Sequence, residues 1–178
     1  MCNCTVSALL AGPRRLARRF GGEEAGAVLI EMALITPFML LLSAGVFEFS
    51  NIIHTRLLIE AGVEDAARYI ARCSNDPSST LWTSCVANAK NLAVNGSITG
   101  GTARVSGWTT ADISLDPDPP ACIAASVGGV EQYRSNSNCV YAVNVTGTYA
   151  YSGTGLWGYL GFGALTLTAS HQERVVGW

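Results

Sequence analysis

The chain has 178 residues, of which 13% are charged and 49% are hydrophobic, and its mean hydropathy is +0.28. This composition favours a small membrane-anchored protein. The sequence contains no G-x-S-x-G motif, no Gly-rich phosphate loop and no H-E-x-x-H motif, so it predicts a protein that is not an enzyme and has no cofactor.

The first 26 residues form a leader with a basic cluster, Arg14, Arg15, Arg18 and Arg19. From residue 27 onwards, seven Lys or Arg stand against eleven Asp or Glu, which gives a net charge of −4. Because Lys and Arg are enriched on the cytoplasmic side of a membrane, this asymmetry predicts a cytoplasmic N-terminus and translocation of the rest. The arginines are interpreted as orientation signals, and nucleic acid is not an expected partner.

An apolar run from Ala27 to Phe47 follows the leader, and Glu31, Thr36, Pro37 and Ser43 are its exceptions. As a helix, these about 21 residues would extend about 32 Å, which matches the hydrocarbon core of a bilayer. A carboxylate in such a span is costly unless it has a partner or access to water. Glu31 therefore requires a functional explanation.

The helix is expected to continue beyond the membrane as an amphipathic segment and to stop near Cys73, before the breaker sequence at 74–77. Apolar residues at seven-, four- and three-residue steps define one face of this segment. They are Ile52, Ile59, Val63, Ala66 and Ile70. Charged residues four apart define the polar side, where opposite charges stabilise a helix slightly. They are Arg56, Glu60, Glu64 and Arg68.

Residues 74–178 are long enough for one small domain. Ser78-Ser79-Thr80 can cap a second helix over 81–94, which Asn95-Gly96 would end. Four segments predict strands: 102–108, 112–115, 139–151 and the alternating sequence 165–170. A half-buried antiparallel sheet that packs on the amphipathic helix satisfies these patterns, so the predicted fold class is α+β.

Four cysteines lie in the part of the chain that would be translocated: Cys73, Cys85, Cys122 and Cys139. An even number in an oxidising compartment predicts disulfides, and four cysteines allow three pairings. We favour Cys73 with Cys85 and Cys122 with Cys139, because each pair closes a short loop around breaker residues. Zinc is not expected, because the spacings contain no C-x-x-C motif and no His close in sequence.

Two segments of the head each admit two interpretations. Asp112, Asp116 and Asp118, with Pro117, Pro119 and Pro120, either bind calcium or form a solvated extended loop. The Gly- and aromatic-rich stretch 152–163 is either a lid on the sheet's own core or a surface that meets a neighbouring subunit. Its large apolar residues are Leu156, Trp157, Tyr159, Leu160 and Phe162.

Residues 22–72 resemble the N-terminal segment of TadE-like minor pilins, which belong to the tight-adherence (Tad/Flp) branch of the type IV pilus systems. The resemblance rests on Gly26 before the apolar run, Glu31 within it, Pro37 one or two turns later and Glu48 near its end. The sequence 64–69 at the end of the helix also matches, as does 165–170 more weakly. Met32 departs from the usual aromatic or bulky apolar residue, which leaves the subfamily open.

The resemblance implies a minor pilin, or pseudopilin, with three parts. Residues 1–26 are a cytoplasmic leader that a prepilin peptidase removes by cleavage between Gly26 and Ala27. Residues 27–73 are the N-terminal helix, with a membrane anchor over 27–49 and an amphipathic spine over 50–73. Residues 74–178 are an extracytoplasmic head. Glu31 is expected to meet the new ammonium group of Ala27 on an adjacent subunit.

The resemblance also implies where the protein lies and what it meets. It would cross the bacterial inner membrane once, with the head in the periplasm, and would then enter the pilus fibre at the cell surface. The expected partners are major and minor pilins, the prepilin peptidase, the inner-membrane assembly platform and, before assembly, membrane lipid.

Other interpretations of the N-terminus stay open. Signal peptidase could cleave near Ala44 and release a secreted, disulfide-bonded domain. An uncleaved anchor could instead carry a monomeric domain that binds an envelope ligand or senses a signal. Glu31, one turn inside the membrane, could also extend to the headgroups and have no partner.

Overall fold

The computed structural model describes residues 24–73, 80–135, 138–153, 156–161 and 163–176. The predicted leader up to residue 23, the Ser78-Ser79 cap and Phe162 lie outside the described residues. The chain divides into two compact units, Met1–Phe47 and Glu48–Trp178. Helix α1, Glu24–Ile70, contains Pro37 and continues from the first unit into the second.

The second unit is an α+β head, so the predicted fold class is confirmed. It contains helix α2 (Thr80–Asn95), a 3-10 turn (Thr110–Asp112) and a short helix α3 (Leu156–Tyr159). The residues that the structure describes form six strands: β1 (Ile113–Asp116), β2 (Cys122–Ala124), β3 (Ser126–Val127), β4 (Val130–Glu131), β5 (Cys139–Tyr151) and β6 (Leu165–Arg174).

Strand β5 organises the sheet because three other strands pair with it, all antiparallel. β1 pairs with residues 144–147 of β5, β2 with 139–141 and β6 with 142–151. β3 and β4 form a separate two-stranded hairpin. The alternation that predicted β5 is confirmed, since Val143 and Val145 are 0% exposed and Tyr151 is 4% exposed on the face that the sequence assigned to the core.

The amphipathic half of α1 packs on this sheet with the face that the sequence predicted. Ile59, Val63 and Ile70 are completely buried, whereas Arg56 and Glu60 form an exposed ion pair on the opposite side. Other buried core residues come from α2, the sheet and the intervening loop. They include Trp82, Ala89, Ala93, Val105, Trp108, Ile113, Val143, Val145, Leu167 and Ala169.

Two glycines allow α1, α2 and β5 to approach Trp108. A methyl group at Gly62 would overlap the backbone carbonyl of Ala93 and lie 3.1 Å from Trp108 Cη2. A methyl group at Gly147 would lie 2.8 Å from Val63 Cγ2 and 3.1 Å from Trp108 Cζ2. The indole is 2% exposed and its Nε1 donates a hydrogen bond to the Thr148 carbonyl. Trp108 therefore fills the space that the two glycines leave.

The predicted strand over 102–108 is wrong, because this segment is an irregular loop with turns. Its alternating sequence serves a different purpose: Val105 and Trp108 both enter the core, and Gly107, with a φ of 84°, turns the chain between them. The sequence also did not predict β2 or the β3–β4 hairpin, whose strands have only two or three residues each.

The end of α2 agrees with the prediction. The amide of Gly96 donates to the Leu92 carbonyl, and Gly96 has a φ of 70°. This is the left-handed glycine that commonly terminates a helix. The β6 strand extends beyond the predicted 165–170 to Arg174, and the amide of Val176 then donates to the Ala71 carbonyl after α1.

Candidate assembly site on the N-terminal helix

The first unit presents apolar side chains on every side of α1. Large apolar residues from Val28 to Phe47 are exposed by between 45% (Ile35) and 76% (Phe47). Five of them, from Phe38 to Leu42, are consecutive, and consecutive residues point in different directions around a helix. Such a surface is stable only in an apolar environment, either lipid or the apolar helices of other chains.

Among the described residues, Gly26–Ile70 is the helix long and apolar enough to cross a membrane. Its most apolar window of 18 residues has a mean hydropathy of 2.1, and 0% of that window is buried. This helix therefore fits a single-pass membrane protein.

Two polar side chains in the apolar run are satisfied by the helix that carries them. The Thr36 hydroxyl donates to the Met32 carbonyl at 2.6 Å, and the Ser43 hydroxyl donates to the Met39 carbonyl at 2.8 Å. Bonds of this kind remove the cost of placing a hydroxyl in an apolar environment. Neither residue needs a partner outside the helix.

Glu31 differs from these two residues. Its side chain is exposed, and it forms no hydrogen bond or ion pair with any residue that the structure describes. It lies four residues after Ala27, one helical turn away, and the predicted cleavage position Gly26–Ala27 is at the exposed start of the same apolar run. The geometry leaves the carboxylate available to a cation from another molecule.

Glu48 is the second carboxyl group that the resemblance included, and it is 4% exposed. The Tyr151 hydroxyl at the end of β5 donates to Glu48 Oε1 at 3.0 Å, and Asn51 Nδ2 donates to that hydroxyl at 2.8 Å. These bonds join α1 to the sheet within the second unit. The only sequence signal for this role is that Glu48 stands between two apolar residues, Phe47 and Phe49.

The structure brings together the cysteine pairs that the sequence favoured. The Cα atoms of Cys73 and Cys85 are 6.4 Å apart, and those of Cys122 and Cys139 are 5.2 Å apart. Both separations lie within the range of disulfides. The first pair joins the turn after α1 to α2, and the second joins β2 to β5.

The three aspartates are not gathered into a cation site. The Asp112 carboxylate accepts bonds from the amide and hydroxyl of Thr109, and Asp118 accepts one from Trp82 Nε1 at 3.0 Å. No group of three His, Cys, Asp or Glu residues in the described ranges could hold a metal ion. Asp112 ends the 3-10 turn and Asp116 ends strand β1, so of the three only Asp118 lies in a loop.

The stretch 152–163 does not act as a lid through its most prominent residues. Tyr159 is 87% exposed and Leu160 is 48% exposed. Trp157 is half-buried, and its Nε1 donates to the Gly163 carbonyl at 2.8 Å. Tyr159 and Leu160 therefore face outward, whereas Trp157 is partly packed.

An exposed apolar helix that leads into a small α+β head fits the class of single-pass membrane proteins. The family of TadE-like proteins matches residues 26–68. The match begins at the predicted cleavage position, includes Glu31 and Glu48, and confirms the resemblance seen in the sequence. It is consistent with a TadE-like protein of a Tad pilus system. No curated protein and no solved structure matches the chain.

Proposed function

We propose that the protein is a minor pilin, or pseudopilin, of a Tad-type type IV pilus and takes part in pilus initiation or assembly. The observation that supports this function is Glu31, a carboxylate without a partner among the described residues, in an exposed apolar helix that matches TadE-like proteins. The role is structural and requires no catalysis by this chain.

The proposed protein enters the inner membrane with its N-terminus in the cytoplasm and its head in the periplasm. A prepilin peptidase then cleaves between Gly26 and Ala27. The scissile site has to fit a small residue, so a bulky replacement of Gly26 is expected to block cleavage. Disulfides Cys73–Cys85 and Cys122–Cys139 form in the oxidising periplasm.

Cleavage creates an ammonium group at Ala27, four residues before Glu31. Within one subunit, these charges lie along the same helix, and their pairing would specify nothing about assembly. Between subunits, the pair would fix the axial register of neighbouring helices. Coulomb attraction is stronger in a low-dielectric environment, but desolvation offsets much of the gain. Glu31 is therefore expected to determine register and assembly more than stability.

The exposed apolar side chains of α1 support the same function. Lipid covers them while the subunit waits in the membrane, and helices of major and minor pilins cover them in the fibre. Both environments are apolar, so transfer from one to the other keeps this surface out of water. The inner-membrane assembly platform would be where this exchange occurs.

Glu31→Gln tests the proposal because it keeps the shape of the side chain and removes its charge. We expect normal insertion, cleavage and folding of the head, with pili lost or greatly reduced when fibres are counted by electron microscopy. The matched control is Glu60→Gln, on the same helix, where Glu60 is paired with Arg56 at the surface. An exposed pair of this kind contributes little, so piliation should be normal.

Normal piliation in the Glu31→Gln strain would indicate that the Glu31 side chain only extends to the lipid headgroups and pairs with no other subunit. It would also favour the alternative function, a monomeric anchored domain for binding or sensing. That alternative predicts no processing and no partner helices.

A further inference from the structure

The segment around α3 carries no charge and exposes aromatic surface. The sequence contains no Asp, Glu, Lys or Arg between Arg134 and Glu173. Tyr159, at 87%, is the most exposed large apolar side chain among the described residues, and Leu160 beside it is 48% exposed. Exposed apolar side chains that are adjacent in a sequence segment without charged residues can mark a contact with a membrane or another protein.

The α3 segment lies next to the residue at which the head begins. A methyl group at Gly153 would lie 2.5 Å from Trp157 Cβ and 3.0 Å from Glu48 Oε1, so α3 and Glu48 meet at this glycine. Glu48 directly follows Phe47, the last residue of the exposed apolar run. The part of the head that carries α3 is thus the part that joins the membrane-spanning segment.

The residue types suit the boundary between headgroups and acyl chains. Trp and Tyr are enriched at this depth, because an apolar ring can enter the bilayer while a polar tip stays hydrated. The Trp157 N–H already has an acceptor in Gly163, and the Tyr159 side chain is free of packing in the head. Leucine adds apolar area without a polar group to satisfy.

We propose that Trp157, Tyr159 and Leu160 form a second membrane contact, which rests on the headgroup boundary of the bilayer that α1 crosses. The contact would hold the head at the membrane surface before assembly. Lipid is the molecule that we expect to cover this surface, because the surface lies beside the residue at which the chain leaves the membrane-spanning segment. The proposal depends on the membrane anchor alone and not on cleavage or pilus assembly.

The test uses the intact chain in phosphatidylcholine vesicles whose acyl chains are brominated near the headgroup, because bromine quenches nearby tryptophan. Tyr159→Trp places a reporter at a position where the native side chain is 87% exposed, so folding should not change. We expect the added fluorescence to be quenched by the brominated lipid and shielded from acrylamide. Trp157→Phe should remove part of the lipid-quenched signal of the wild-type protein.

Tyr133→Trp is the matched control. Tyr133 is 49% exposed, and its amide bonds to Ala125, next to the β2 residue that pairs with Cys139. It lies near the end of β5 opposite Tyr151, and an extended strand of this length spans at most about 40 Å. Its added fluorescence should be quenched by acrylamide and not by brominated lipid.

Equal behaviour of the two added tryptophans, both reached by acrylamide and neither quenched by lipid, would overturn the proposal. Shielding of Tyr159→Trp that develops only at high protein density, without lipid quenching, would identify a second copy as the occupant and would also overturn it. Neither outcome depends on pili, so the minor-pilin function would be unaffected.

Discussion

The two halves of α1 share one secondary structure and have opposite surroundings. Before Glu48, large apolar side chains on every side of the helix are exposed. Beyond it, Ile59 and Val63 on one face are 0% exposed, while Leu57 on another face is still 57% exposed. The difference follows from the spacing of apolar residues. An uninterrupted run requires an apolar solvent, while a run with helical period needs only one packed face. The comparison shows that periodicity, more than hydrophobicity alone, determines what a helix packs against.

Two of the carboxyl groups on this helix, Glu48 and Glu31, show the same contrast at the scale of single residues. Glu48 is enclosed by the head and accepts a hydrogen bond from Tyr151. Glu31, in the apolar half, has no partner among the described residues. One carboxyl group is therefore satisfied by folding of the head, and the other is not satisfied by any residue that the structure describes.

The largest predicted change in the free energy of unfolding comes from the disulfides, both of which lie beyond the exposed apolar half of α1. Replacing either pair with serines is expected to lower the free energy of unfolding by about 2–4 kcal/mol, because the bond restricts the unfolded chain. Thermal unfolding of the intact protein in detergent, followed by near-ultraviolet circular dichroism, measures the loss. Helix content from 24–47 should persist, since no cysteine lies in that segment.

Non-reducing peptide mapping provides the direct check on the pairing. Peptides that link Cys73 to Cys85 and Cys122 to Cys139 are expected. Free thiols at these positions, or crossed pairs, would show that the short-loop argument is wrong.

The same substitution at two glycines of α1, one in each half, tests the difference between the halves. Gly62→Val should cost about 2–3 kcal/mol, because extra carbons would overlap the Ala93 carbonyl and crowd Trp108. Gly45→Val is the control, since nothing lies within 4 Å of a methyl group there. Thermal unfolding of both variants should show destabilisation only at Gly62. Equal losses would indicate that Gly45 is packed inside the protomer and that the comparison fails.

The smallest predicted effect concerns the bond between Glu48 and the sheet. Tyr151→Phe should destabilise the head by about 1–2 kcal/mol, because the buried carboxyl group loses a donor and Asn51 loses an acceptor. Tyr149→Phe is the matched control on the same strand. Its hydroxyl donates to the exposed Ser106 carbonyl, which water can satisfy instead. If chemical denaturation gives the same loss for both variants, Glu48 does not fasten the helix to the sheet.

Regular elements with a strong period were predictable from sequence, and irregular ones were not. The alternation in β5 and the Asn95-Gly96 stop of α2 were both confirmed. Sequence could reveal them because each depends on residues that are close together in the chain. The alternation at 102–108 was equally local, but tertiary packing placed Val105 and Trp108 in the core from a loop. The bonds of Glu48 depend on Tyr151, more than 100 residues away, and no local pattern could reveal such a partner.

The same distinction applies to the candidate site. Glu31 stands out in sequence because a charge interrupts an apolar run, and the structure added that Thr36 and Ser43 are satisfied within the helix. The stretch 152–163 was ambiguous in sequence, since it fits a lid on the sheet's own core or a surface that meets a neighbouring subunit. The structure adds that Tyr159 and Leu160 are exposed, which no local pattern could reveal.

The intact mass of the membrane-extracted protein tests the central claim most directly. The minor-pilin account predicts a mature chain that starts at Ala27 and lacks the first 26 residues, with a bulky replacement of Gly26 restoring the full mass. A chain that starts at Met1 would indicate an uncleaved anchor. A start near Gly45 would indicate release by signal peptidase, and either mass would contradict the account.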